Sequence, residues 1–120
     1  MITIRKQKEM KKYYVKKVNT YVFEDDVEFL CDVDVEANIA AHNIKARNIV
    51  AYDIRAWNII SNNIKAFLNI SAQNINANNI DYFSVCFAYK NIECNSIKGR
   101  YKNSKHFVFD GKLIIKGDEY

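Results

Sequence analysis

Proline is absent from the 120 residues and glycine occurs only three times. The chain therefore lacks the two residues that ordinarily turn a backbone. Its corners must be made by Asn, Asp and Ala, of which Asn best tolerates left-handed backbone angles. Three cysteines, Cys31, Cys86 and Cys94, are an odd number without C-x-x-C spacing. A disulfide framework or a zinc ribbon is disfavoured, and reduced, partly buried thiols are expected. No apolar run approaches the roughly 20 residues of a membrane span, and the N-terminus has no apolar signal-peptide core, so the expected compartment is the cytoplasm. There is no glycine-rich phosphate loop, no G-x-S-x-G elbow and no H-E-x-x-H. The two histidines, His42 and His106, have no cysteine or carboxylate at ligand spacing. Neither enzymatic activity nor a cofactor or metal is expected.

What is present is a beat. From Asn38 to Ile80 an Asn-Ile dipeptide, once Asp-Ile, returns every five residues: Ile39, Ile44, Ile49, Ile54, Ile59 and Ile64, then, after one inserted residue, Ile70, Ile75 and Ile80. Two residues after most of them stands a small side chain: Ala41, Ala46, Ala51, Ala56, Ser61, Ala66, Ala72 and Ala77. On an α-helix a five-residue step advances by about 140° net, which scatters the isoleucines around every side. On a short extended segment, Ile and the residue two beyond it share a face, and the two residues that follow can turn a corner. Repetition of that unit coils the chain into a β-solenoid with Ile inside. The residue before each Ile would then lie above its counterpart in the next coil, at about 4.8 Å, where amides can hydrogen-bond in ladders.

The Ile-x-Ala-x-Asn beat resembles the pentapeptide-repeat family, whose members coil four short segments per turn into a square β-solenoid. It departs from that pattern because the small residue follows the central Ile by two positions instead of preceding it. A square coil and a triangular coil of about 15 residues both remain open. Bactofilin-like β-helices are a second analogue. The expected architecture is an all-β solenoid of about three to four coils over residues 37–99, led in by N-terminal strands and a cap (1–36) and closed by a C-terminal hairpin (100–120). The hairpin is expected around Asp110-Gly111. In the last repeats Val85 and Phe87 are expected inward, with Cys94 and Gly99 in small-residue positions.

Charge is unevenly placed. Residues 1–18 hold seven basic residues against Glu9, and residues 19–37 hold seven acidic residues and no basic one. Strict alternation from Val27 to Ile39 puts Glu28, Asp32, Asp34 and Glu36 outward, as a solvated face. The basic arm, Arg5, Lys6, Lys8, Lys11, Lys12, Lys16 and Lys17, with Tyr13 and Tyr14, reads either as a solvated cap or as a nucleic-acid contact.

Function then falls to the irregular letters between the isoleucines. Trp57, Tyr52 and Ile60, with Arg47 and Arg55, are the expected protein interface, for a homodimer or a different protein. Short Asn-Ile-x-Ala proteins of this kind, with Cys86-Phe87-Ala88-Tyr89 and Ser96-Ile97-Lys98-Gly99-Arg100 following, resemble small phage and mobile-element proteins. Those include candidate anti-CRISPR inhibitors acting in the bacterial cytoplasm. The resemblance implies a non-enzymatic protein-binding inhibitor of a host protein, such as an RNA-guided nuclease. Nucleic-acid binding through the arm and self-assembly into a structural β-helix are the alternatives.

Overall fold

A five-residue step that alternates an inward isoleucine with a corner closes on itself after three steps. In the computed structural model, which describes residues 1–117, Ile39 pairs with Ile54, Ile44 with Ile59 and Ile49 with Ile64. Partners fifteen residues apart define a three-sided coil, so the triangle holds and the square does not. Fourteen strands result: β1 (Ile2–Ile4), β2 (Tyr14–Val15), β3 (Thr20–Val22), β4 (Val27–Phe29), β5 (Val33–Asp34), β6 (Asn38–Ala40), β7 (Asn43–Ala51), β8 (Ile54–Arg55), β9 (Asn58–Ala66), β10 (Asn69–Tyr82), β11 (Val85–Cys94), β12 (Ser96–Gly99), β13 (Lys105–Val108) and β14 (Leu113–Ile115).

The strands stack into three parallel faces. Face A carries Tyr21, Ile39, Ile54, Ile70, Cys86 and His106 in register. Face B carries Ile2, Val27, Ile44, Ile59, Ile75, Ile92 and Leu113. Face C carries Val33, Ile49, Ile64, Ile80 and Ile97. The stack makes about six turns and the molecule is 36 Å in its longest dimension. It is taller than the three to four coils expected because both termini join the coil. The stretch from Val27 to Ile39 keeps its inward alternation but is no single strand: β4, β5 and β6 lie on three different faces.

The tail also differs from expectation. Its two strands pair with β11 and not with each other, both parallel. Asp110-Gly111 turns a coil corner between faces A and B, so the hairpin signal was local chemistry that the stack overrode. The antiparallel pair lies at the other end, where β2 meets β3 through Asn19 at φ 48°. Asn19 is also the one described residue with a positive φ. The solenoid corners thus need no left-handed residue, which is why the chain can dispense with glycine there.

The asparagines serve instead as rungs. On face B, Asn58 donates to Asn43 (2.7 Å), Asn74 to Asn58 (2.8 Å) and Asn91 to Asn74 (3.1 Å). On face C, Asn63 donates to Asn48 and Asn79 to Asn63. Every amide donates toward the N-terminal end, so the first rung needs only an acceptor. Asp26 and Asp32 supply it, taking the Nδ2 groups of Asn43 (2.9 Å) and Asn48 (3.0 Å). At the far end the last amide oxygens accept from the Lys112 N–H and the Ser96 hydroxyl. On face A, Asp53 has no side-chain donor, and its own backbone N–H reaches the Asn38 oxygen while its carboxylate accepts the Asn69 N–H. Two members of the acidic block are therefore ladder ends. Glu28 and Asp32 additionally face Lys45 (3.7 Å) and Arg47 (3.6 Å) in the next coil.

Inside, isoleucines and small residues fill the triangle. Tyr82 occupies a small-residue position yet is fully buried. Room comes from Gly99, its partner one level on, where a Cβ would collide with the Ser104 side chain and stand 2.8 Å from the Tyr82 hydroxyl. That hydroxyl contacts His106 Nδ1 at 2.7 Å, filling the C-terminal end of the core with a satisfied polar pair.

The N-terminal end is covered by a 3-10 helix, Gln7–Tyr13, with its Met10 buried and Tyr13 packed at a tilt of 35° against Phe23, centroids 4.6 Å apart. Glu9 accepts the backbone N–H groups of Arg5 (2.7 Å) and Lys6 (3.1 Å). These bonds, with the charges of Lys12 and Arg5, hold its carboxyl below the ordinary 4.5. A carboxyl depressed in the folded state contributes stability above its unfolded value and loses it as pH falls through the folded one. Protection of the Arg5 and Lys6 amides, taken relative to intrinsic exchange at the same pH, should fall below pH 4.5 while that of the isoleucine amides is kept, and Glu9→Gln should abolish that step. No described helix is long and apolar enough to cross a membrane.

Candidate interaction surface

Because side chains alternate across each strand, every outward position repeats as a column along the stack. The columns of faces B and C are mainly polar and charged and carry no ring: Lys45, Ile60, Asn76, Glu93 and Ile114 on B, and Asp34, Val50, Lys65, Asp81 and Lys98 on C. Face A and its two corners are different. Tyr52, Phe67, Phe83 and Tyr101 follow one another along the corner that enters it, through backbone bonds from Phe67 to Ala51, Phe83 to Leu68 and Tyr101 to Phe83. Phe87 and Phe107 share its outward column. Trp57, Tyr89 and Phe109 lie at the corner that leaves it. All nine rings are exposed or half-buried.

These rings are held by one another and by cations. Phe83 meets Tyr101 at 5.2 Å, Phe87 meets Phe107 at 5.0 Å, and Tyr89 stacks on Phe109 at 5.2 Å. The one residue inserted between Ile64 and Ile70 is taken up at the Phe67-Leu68 corner: face A partners change there from fifteen to sixteen residues apart. Arg100 crosses that corner. Its guanidinium lies 5.3 Å from the Phe67 ring and 5.9 Å from the Phe83 ring, bonds Asp81 at 2.5 Å and donates to the Ala66 carbonyl. Arg100 is thus a brace for the aromatic corner.

Of the five residues expected at the interface, three come together. Tyr52 and Trp57 flank face A at successive corners and Arg55 stands between them on β8. Trp57, 53% exposed, is stacked on His42 with centroids 4.3 Å apart and planes 6° from parallel, which fixes the ring before any partner arrives. Ile60 and Arg47 belong elsewhere: Ile60 projects from face B between Lys45 and Asn76, and Arg47 stands at the corner between B and C, beside Asp32. Sequence spacing alone could not divide the five, since all are outward and only the three-sided closure assigns faces.

The C-terminal rings escaped the sequence reading through a one-residue frame error. Cys86 and Ala88 point inward, both fully buried, and Phe87 and Tyr89 point out. The signal was available in the alternation Phe87-x-Tyr89 against Phe107-x-Phe109, which places aromatics outward once Cys86 is taken as the central residue.

The arm residues Arg5, Lys6, Lys8, Lys11, Lys12, Lys16 and Lys17 are all exposed, lie on or beside the 3-10 helix at the N-terminal end, and do not approach face A's C-terminal rings. Among the described residues none of them comes within 4 Å of a carboxylate oxygen. The arm is therefore not neutralised by direct pairing with the acidic block.

Reactive chemistry is sparse. Burial pushes the Cys86 thiol well above its ordinary range, with the neighbouring Cys94 adding to the effect, so Cys86 supplies no thiolate near neutrality. Asp25, Asp26 and His42 bring donor atoms within 4.8 Å of one another. Each carboxylate is already engaged, Asp25 with the Met1 ammonium at 3.1 Å and Asp26 with Asn43. Comparison with protein-family models, curated proteins and solved structures returns no match.

Proposed function

We propose that the protein is a non-enzymatic, protein-binding solenoid that acts by occupying a partner's surface through face A. The observation that carries this reading is the gathering of all nine outward rings of residues 52–109 on one face and its two corners, while the outward columns of the other two faces carry no ring and are mainly polar, with Ile60 and Ile114 on B and Val50 on C as their aliphatic members. Rings held in ladders on a sheet lose little side-chain entropy on docking, and Trp and Tyr dominate interface energetics. Trp57→Ala should weaken partner binding about tenfold or more with an unchanged circular dichroism spectrum. Affinity unaffected by this change and by Tyr52→Ala would place the interface on another face. If the partner is a second copy, the same substitution should halve the mass measured by light scattering.

The narrower version, an inhibitor of an RNA-guided nuclease encoded by a phage or mobile element, draws its support from the resemblance of the Asn-Ile-x-Ala repeats. A DNA-cleavage assay with the protein in excess over nuclease tests it, and full cleavage would remove it. A second reading, nucleic-acid binding through the N-terminal arm, is supported by the exposure of its seven cations. Glutamine at Lys8, Lys11 and Lys12 should then reduce both affinity and its salt dependence.

A further inference from the structure

The last two levels of face A hold a feature beyond what docking to a protein requires. Along β13 the outward positions are Lys105, Phe107 and, just past the strand, Phe109; along β11 they are Phe87 and Tyr89, with Phe87 in register with Phe107. Outward neighbours two residues apart are spaced by ~6.6 Å at the rise of a strand, and the levels are joined by ring contacts of 5.0 and 5.2 Å. The result is a two-by-two grid of rings, Phe87 and Phe107 on the sheet face and Tyr89 and Phe109 where it meets the corner. Its outermost member, Phe109, is 70% exposed.

Cations surround this grid. Lys105 leads into it, and Lys90 and Lys112 stand at its far corner, where the Lys112 carbonyl accepts the Ile92 N–H. Among the described residues no carboxylate oxygen lies within 4 Å of these three ammonium groups. Residues 82–120 carry seven basic residues against Glu93, Asp110, Asp118 and Glu119, of which Asp110 stands at the grid's corner, its N–H donating to the Tyr89 carbonyl. A second copy would bring these lysines against their own equivalents in a two-fold contact, which disfavours self-association here. An acidic protein surface would match the charge but brings carboxylates, not planar groups, to the rings. Planar bases strung on phosphates match both, since exposed aromatics on a sheet stack bases while flanking lysines take the backbone.

We infer that the grid formed by Phe87, Tyr89, Phe107 and Phe109, with Lys90, Lys105 and Lys112, binds single-stranded nucleic acid. The site lies at the opposite end of the stack from the N-terminal arm and two levels beyond Trp57 along the same corner; its rings belong to the proposed protein-binding face, and the oligonucleotide readout below tests it separately from partner binding.

Fluorescence anisotropy of the full chain with a labelled oligothymidylate of about 12 nucleotides, at about 50 and about 200 mM salt, tests the assignment. Binding should weaken steeply at the higher salt. The double variant Phe107→Ala/Phe109→Ala should lose about tenfold or more in affinity, and Lys105→Glu should lower both affinity and salt slope. Trp57→Ala and glutamine at Lys8, Lys11 and Lys12 should leave binding within about twofold. Both phenylalanines are exposed, so the fold should survive their loss, and circular dichroism checks this. No binding at the lower salt overturns the inference. So does loss of binding with the arm variant but not with the phenylalanine variant, or displacement of the oligonucleotide by polyglutamate at equal charge, which would point to an acidic protein surface.

Discussion

Replacing Ile59 by alanine should destabilise the protein by about 2–5 kcal/mol, while the same change at the adjacent Ile60 should stay within about 0.5 kcal/mol. The two isoleucines are neighbours in sequence with opposite fates: Ile59 is 1% exposed and Ile60 is 54% exposed. Ile59 sits mid-column on face B between Ile44 and Ile75. Deleting its side chain leaves a cavity whose walls belong to two neighbouring coils and cannot collapse without moving three strands. In a chain of this size the loss should lower Tm by roughly 10–20 °C, readable by thermal circular dichroism. Comparable losses at both positions would show that the inward frame has been misassigned.

Asn58→Asp should be the most damaging single change among the exposed and half-buried polar residues, at about 1–3 kcal/mol or more, whereas Asp26→Asn should be nearly silent. Asn58 both donates to the Asn43 oxygen and accepts from the Asn74 amide. Aspartate keeps the acceptor and loses the donor, setting a carboxylate against the Asn43 oxygen in a half-buried rung. At Asp26, by contrast, the ladder asks only for an oxygen, and the asparagine carbonyl provides one. Urea denaturation of both variants measures the difference. Equal midpoints would mean that the ladder has no directional preference and that its hydrogen bonds exchange freely with water.

Legibility in the sequence followed the physics of each level. The inward set from Ile39 to Ile80 could be read directly, because a period of two within a step of five leaves one arrangement that buries every isoleucine. The rung asparagines could be read as structural, but not their polarity, which depends on which coil each amide faces. The frame slipped after Ile80. There Cys86 stands where isoleucine had marked the inward position, and two aromatics beside it mimic core residues. Phe87 was consequently expected inside, and the richest part of face A went unseen. Asp110-Gly111 misled for a related reason. A two-residue turn signal reports backbone preference over four residues, whereas the choice between a hairpin and a coil corner depends on the open edge of β11, which offers parallel pairing to both tail strands.

Sequence alone determined the solenoid, its five-residue unit, its isoleucine filling and, as far as Ile80, its outward letters, because alternation and repetition are properties of a single strand and of its neighbours in the chain. Tertiary structure decided the number of sides, the height of the stack and the direction of the ladders. It also decided the sorting of outward residues onto faces, which brought Tyr52, Arg55 and Trp57 together and sent Ile60 and Arg47 elsewhere. Each of these depends on how far the chain turns at a corner. That angle is a collective result of packing three isoleucines into one cross-section, and no single corner residue encodes it.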